Sequence, residues 1–161
     1  MKKEIKIKGS ADPVNIKGTK TILNQMMNCI CKIKIKGDNH GGFITKDAYG
    51  TGFFCVITLN DNTNINCLLT NYHVLNEKDL EESRKINLSL NDEKETKSID
   101  LSIERKTYFN KDYDIALIEL KDEDKIKDYL ELDDNLFQDN SEKIYKNQSI
   151  YTLHYRNEKY F

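Results

Sequence analysis

Two residues of this sequence, His73 and Asp114, are of the types that together perform general acid–base chemistry. Histidine changes its charge near neutral pH, which suits it to take up and release protons during a reaction. An aspartate that accepts a hydrogen bond from one ring nitrogen fixes the histidine tautomer and supports its protonated form. Such a pair activates a nucleophile only if both side chains meet at an accessible edge of the fold.

The sequence around each residue favours such an edge. His73 follows an apolar run that ends at Thr70, and it precedes a charged stretch, residues 77–84, that predicts a short helix. Asp114 directly precedes a strongly apolar run, residues 115–120, which predicts a strand that holds the aspartate at its end. Asp112 is a rival for the same role, and Asp114 is preferred because it adjoins the apolar run.

Short runs of strand character make up most of the middle of the chain. Apolar and Lys residues alternate from Cys31 to Lys36, which is typical of a strand with one face in water. The predicted strands are residues 29–36, 53–59, 65–70, 85–90, 99–103 and 115–120, with a seventh at 149–155 and a helical turn or two at 21–27. Turn residues separate them, so the sequence predicts an all-β fold built as a small antiparallel barrel or sandwich.

Three segments carry a resemblance to a known family: GTGFF at 50–54, LLTNYHVL at 68–75 and DYDIALI at 112–118. In order and spacing they resemble the amino-terminal signatures of trypsin-like serine peptidases of the chymotrypsin superfamily (PA clan). His73 and Asp114 stand 41 positions apart, as that resemblance requires.

The resemblance implies the first of the family's two barrels, six-stranded and antiparallel, followed by an orphan strand from the second. By this reading residues 1–27 are a lead-in, 28–121 the barrel, 122–147 a charged connector and 148–161 the start of a truncated second barrel. His73 would be the general base and acid, and Asp114 its orienting partner. The family's nucleophilic serine lies in a Gly-x-Ser-Gly segment, which this sequence lacks, and neither Ser141 nor Ser149 has a glycine neighbour.

The chain is therefore expected to be a fragment of a serine-type endopeptidase that acts on proteins or peptides. The fragment is expected to be inactive by itself, because it lacks the nucleophile. The alternative is a non-catalytic half-barrel, a pseudoprotease that binds protein partners. A third reading is an unrelated barrel in which the two residues coincide by chance and lie far apart. An exposed barrel face and the strand at 149–155 also predict self-association.

Composition excludes several other classes. With 25 basic and 27 acidic residues the net charge is −2, which gives no electrostatic case for nucleic acid or an anionic membrane. The start of the chain is charged and no apolar run is long enough to span a bilayer, so a cytoplasmic location is expected. Cys29, Cys31, Cys55 and Cys67 form no metal-binding pattern and are interpreted as reduced apolar residues on strands, and no cofactor is expected. No role is assigned to His40 or His154.

Overall fold

A computed structural model describes residues 16–37, 39–40, 43–44, 47–59, 61–82, 84–91, 93–133, 136, 138–146, 152 and 155. The helices in these ranges are α1 (Ile16–Cys29), α2 (Glu77–Glu81) and α3 (Ser141–Tyr145), with a 3₁₀ turn at Asp122–Asp124. The strands are β1 (Ile30–Ile35), β2 (Asn39–His40), β3 (Phe43–Ile44), β4 (Ala48–Thr58), β5 (Asn64–Thr70), β6 (Lys85–Leu90), β7 (Glu95–Asp100), β8 (Thr107–Asn110), β9 (Ile115–Glu119) and β10 (Leu130–Glu131). The predicted all-β class is confirmed.

Eight of these strands form one hydrogen-bonded sheet in the order β7-β6-β1-β4-β5-β9-β8, with β10 paired to β4. The pairings along that order are antiparallel, and β10 runs parallel to β4. β2 and β3 pair separately with each other. The long strands β4 and β5 therefore lie in the middle of the sheet.

The main core occupies one face of the sheet. In β1 the side chains of Cys31, Ile33 and Ile35 are buried, while the intervening lysines point outward, as the sequence alternation predicts. Residues from β1, β4, β5, β6, β7 and β9 join this main cluster. A smaller cluster around Cys55 and Cys67 lies on the opposite face of β4 and β5, because adjacent strand residues point to opposite faces. These two strands are apolar on both faces, which explains why their sequences read as continuous apolar runs.

The prediction of a six-stranded barrel is wrong in one respect: the sheet is not closed into a barrel. β7 and β8 are the two edges of the sheet, and no pairing among the described strands joins them. The chain between them, residues 101–106, turns a corner: the Leu101 amide donates to the Arg84 carbonyl, and the Lys106 carbonyl accepts from the Glu119 amide. One end of the corner is therefore bonded to the residue before β6, and the other end is bonded to β9. The sheet stays open between β7 and β8.

Strand boundaries differ from the prediction where polar edge strands occur. The apolar alternation predicts a strand at 99–103, whereas β7 spans Glu95–Asp100 and Ile103 is 79% exposed beyond it. β8 was not predicted because it is only four residues long and is flanked by polar turns. The two-residue strands β2, β3 and β10 were not predicted either. Such short pairings depend on a partner strand and leave almost no periodic pattern.

The helices and cysteines follow the prediction more closely. α1 includes the predicted 21–27 segment and extends to Cys29. Cys29, which was predicted to begin a strand, is therefore the last residue of a helix. α2 falls within the predicted 77–84 helix. All four cysteines are free and buried, and burial raises the pKa of Cys31 to about 12. No described helix is long and apolar enough to cross a membrane.

Arg105 holds the corner between β7 and β8 together. Its side chain is only 3% exposed and forms a two-pronged pair with Asp124, whose side chain is 4% exposed, at 2.7 and 3.0 Å. The same guanidinium donates to the carbonyls of Asp100 and Glu119, each at 3.0 Å. A buried charge pair whose donors are also satisfied by backbone carbonyls fixes the ends of β7 and β9 relative to the 3₁₀ turn.

Replacing Arg105 should therefore strongly destabilise the fold. We expect R105M to lower the free energy of unfolding by about 3–5 kcal/mol, because the Asp124 carboxylate is left buried without its partner. K85M is the matched control, since the Lys85–Asp100 pair is 67% and 72% exposed and should be worth only about 0–1 kcal/mol. Urea unfolding at pH 7 measures both. Equal losses in the two variants would contradict the assignment.

Candidate active site

His73 lies in a turn that begins where β5 ends. The amides of Val74 and Leu75 both donate to the carbonyl of Asn71, at 3.1 and 3.2 Å, which closes the turn. Val74 and Leu75 are buried in the main core, whereas the His73 side chain is 68% exposed. The two apolar neighbours anchor the turn, and the imidazole projects to solvent at the rim of the sheet.

Gly50 of β4 forms the seat for this turn, and Gly52 leaves room for core side chains of β1 and β5. A Cβ atom at Gly50 would lie only 2.4 Å from Cγ2 of Val74, so the turn can approach the strand only because this position lacks a side chain. A Cβ at Gly52 would lie 2.7 Å from Cδ1 of Ile33 and 2.8 Å from Cδ1 of Leu68. Between them, the Thr51 carbonyl accepts a hydrogen bond from the Thr70 hydroxyl at 2.9 Å.

Asp114 occupies the turn that leads into β9. Its φ is 53°, in the left-handed region that aspartate tolerates better than most residues, and its amide donates to the Lys111 carbonyl. The Asn110 side chain accepts from the Tyr113 amide at 3.0 Å and so shapes the same turn. Because β9 pairs antiparallel to β5, with Ala116 opposite Thr70, the turn before β9 meets the turn after β5.

The two predicted residues are in direct contact. His73 Nδ1 lies 2.7 Å from Oδ2 of Asp114, and the His73 backbone amide donates to Oδ1 at 2.9 Å. These donors, with the backbone amide of His73 contributing most, lower the pKa of Asp114 below its ordinary value. An ionised carboxylate can only accept, so Nδ1 carries a proton, and in the neutral imidazole Nε2 is then the acceptor.

Asn71 is the site residue that the sequence analysis did not identify. Its Nδ2 donates to the Asp114 carboxylate at 3.1 Å and to the Asp114 backbone carbonyl at 3.2 Å. The only signal available was its position two residues before His73, and a polar residue in a turn is usually solvated. Its role depends on a partner 43 positions away, which local sequence cannot reveal.

An aromatic contact braces the two turns. Tyr72, beside His73, packs edge-to-face against Phe109 of β8, with ring centroids 6.3 Å apart. Such pairs contribute roughly 0.5–1.5 kcal/mol beyond the area they bury. The contact links the turn after β5 to the strand that leads into the Asp114 turn.

The remaining candidates lie elsewhere. It is Asp114, and not its rival Asp112, that pairs with His73. His40 lies in β2, Ser141 is the first residue of α3, and His154 and Ser149 are outside the described residues. Among the described residues, no cluster of three His, Cys, Asp or Glu side chains could hold a metal ion.

The predicted strand at 149–155 lies mostly outside the described residues. Of its positions only Thr152 and Tyr155 are described, and neither is in a strand. Tyr155 nevertheless contacts the site strand: its amide donates to the Thr51 hydroxyl at 2.8 Å, and that hydroxyl lies 3.4 Å from the Tyr155 carbonyl. Tyr155 thus contacts β4 between Gly50 and Gly52.

No family model matches this chain, and no curated protein matches it either.

A substitution at Gly50 should destabilise the protein through its contact with the His73 turn. We expect G50A to destabilise the protein by about 1–3 kcal/mol, because the new methyl group collides with Val74. Shortening the facing side chain in G50A/V74A should relieve that collision, so the double variant should be more stable than the sum of the single losses predicts. Urea unfolding gives the coupling energy. Strictly additive losses would contradict a direct contact.

The charge of Asp114 should make stability depend on pH in a defined direction. Its folded pKa is lowered, whereas the unfolded chain titrates near ~3.9, so its contribution is fully present above that value and is lost as pH falls through the folded pKa. Asparagine also tolerates positive φ, so D114N keeps the backbone conformation while it removes the charge and replaces one acceptor oxygen with a donor. D114N should be less stable than wild type at pH 7, and the difference should shrink on acidification below about pH 4.

The measurement is urea unfolding of both proteins from pH 7 to pH 2. T58A removes no titratable group and serves as the control, since its difference from wild type should not vary with pH. A gap between D114N and wild type that stays constant over the whole range would rule out an ionised, hydrogen-bonded Asp114.

Proposed function

We propose that this chain is the His- and Asp-bearing part of a trypsin-like serine endopeptidase. The observation that carries the proposal is the His73–Asp114 pair, with an Nδ1 to Oδ2 distance of 2.7 Å at an exposed rim. The alternative that the two residues coincide by chance predicts a wide separation. The three sequence segments that resemble the family are also the segments that build this site: the glycine seat, the His73 turn and the Asp114 turn.

The chemistry follows from the tautomer of His73. With its proton held on Nδ1 by Asp114, the Nε2 lone pair can accept the proton of a serine hydroxyl as that oxygen attacks a peptide carbonyl. The same nitrogen then delivers the proton to the leaving amine. Asp114 stays ionised throughout and stabilises the imidazolium that forms between the two transfers. The serine and the amides that stabilise the oxyanion would come from a segment outside these 161 residues.

The test uses the whole gene product that contains these residues. Its transcript is read past the codon for Phe161, and the expressed protein is treated with a fluorophosphonate probe and with unfolded protein substrate. We expect labelling of a serine, and a loss of kcat of about 10⁴-fold in D114N, since asparagine presents the wrong hydrogen-bonding atoms to the imidazole. D112N is the matched control in the same turn and should retain activity.

Two outcomes would contradict the proposal. One is a gene product that neither labels nor cleaves protein, for which the non-catalytic binding module becomes the better explanation. The other is activity that survives both H73A and D114N, which would place the chemistry away from this pair.

A further inference from the structure

We infer that Asn71 is a positioning residue, and that through it the His73–Asp114 pair assembles from this chain alone, before any nucleophile-bearing segment is present. The basis is the arrangement of donors around Asp114. The inference concerns the geometry of the pair and does not depend on the proposed function.

Asn71 holds both the backbone and the side chain of Asp114. One amide nitrogen, Nδ2, lies 3.2 Å from the backbone carbonyl oxygen of Asp114 and 3.1 Å from its Oδ2. Asp114 has a φ of 53°, a conformation that most non-glycine residues avoid. A donor that contacts the carbonyl and the carboxylate together favours this left-handed backbone and the rotamer that faces His73.

Among the described residues, the donors to the carboxylate come from one short segment. Oδ1 accepts from the His73 amide, and Oδ2 accepts from His73 Nδ1 and from Asn71 Nδ2. A carboxylate offers about four acceptor positions, so residues 71–73 fill most of them. No donor from another part of a larger protein is needed to keep Asp114 ionised and oriented.

Asn71 also shapes the turn that carries His73. Its backbone carbonyl accepts from the amides of Val74 and Leu75, while its side chain reaches across to Asp114. One residue therefore fixes the two halves of the pair relative to each other. Its backbone role survives substitution, so changing the side chain removes only the link to Asp114.

The experiment uses the 161-residue chain in solution at neutral pH, with no substrate. Proton NMR follows the hydrogen-bonded Nδ1 proton of His73, and carbon NMR of the labelled carboxylate follows the titration of Asp114. D114N identifies the His73 signal by abolishing it. N64A is the control: Asn64 is exposed at the far end of β5, where it accepts from the Thr58 hydroxyl.

In N71A we expect the Nδ1 proton to exchange with water roughly tenfold faster, the order expected when a hydrogen bond to a charged group is lost. The pKa of Asp114 should rise toward its ordinary value of ~3.9. N71D should perturb the pair more than N71A, because a second carboxylate replaces a donor with a like charge. N64A should leave both signals unchanged.

Unchanged exchange and titration in N71A would overturn the inference, as would an equal effect of N64A. Global unfolding of N71A would also contradict it, since the inference assigns the side chain to the pair and not to the stability of the sheet. Neither readout requires a nucleophile. A missing serine peptidase activity would therefore leave this inference standing, and its failure would leave the proposed function open to its own test.

Discussion

The antiparallel pairing of β5 with β9 is the constraint on which the site depends. It sets Thr70 opposite Ala116, so the turn that follows one strand and the turn that precedes the other must meet at the same rim. Residues distant in sequence are thereby brought within hydrogen-bond distance with no need to bury either. The sheet is rigid, and short turns attach the exposed pair to the buried ends of its strands, so the two side chains are held in place.

The second requirement is close approach between the His73 turn and β4. Buried Val74 fits over Gly50, and the hydroxyl of Thr70 ties the end of β5 to the β4 backbone. These contacts lie beneath the site, where packing is dense and displacement is costly. The pair itself is exposed, so its hydrogen bonds contribute less to stability than this packing does. Their geometry is imposed by the strands that hold them.

What could be predicted from the sequence follows from this division. The alternation in β1 and β6 and the apolar runs of β5 and β9 reveal strands, because their pattern is set by which face is buried. His73 and Asp114 could be singled out because each adjoins such a run. Arg105 and Asn71 could not, since each is defined by partners across the fold: Arg105 contacts Asp124, and Asn71 contacts Asp114. The open edges of the sheet could not be predicted either, because the polar side chains of β7 and β8 do not show which strands they pair with.

Three aspartates show why residue type alone does not determine a role. Asp124 is buried and two hydrogen bonds from Arg105 hold it, so it serves the fold. Asp79 is buried at the start of α2, and desolvation raises its pKa despite a nearby arginine. Asp114 remains partly exposed, and donation from the His73 amide lowers its pKa. A carboxylate that is to support an imidazolium must stay charged and must face the ring. At Asp114, donation from the His73 backbone amide and from the Asn71 side-chain amide outweighs the desolvation of a partly exposed carboxylate, and among the three aspartates Asp114 is the one that these donors hold beside a histidine.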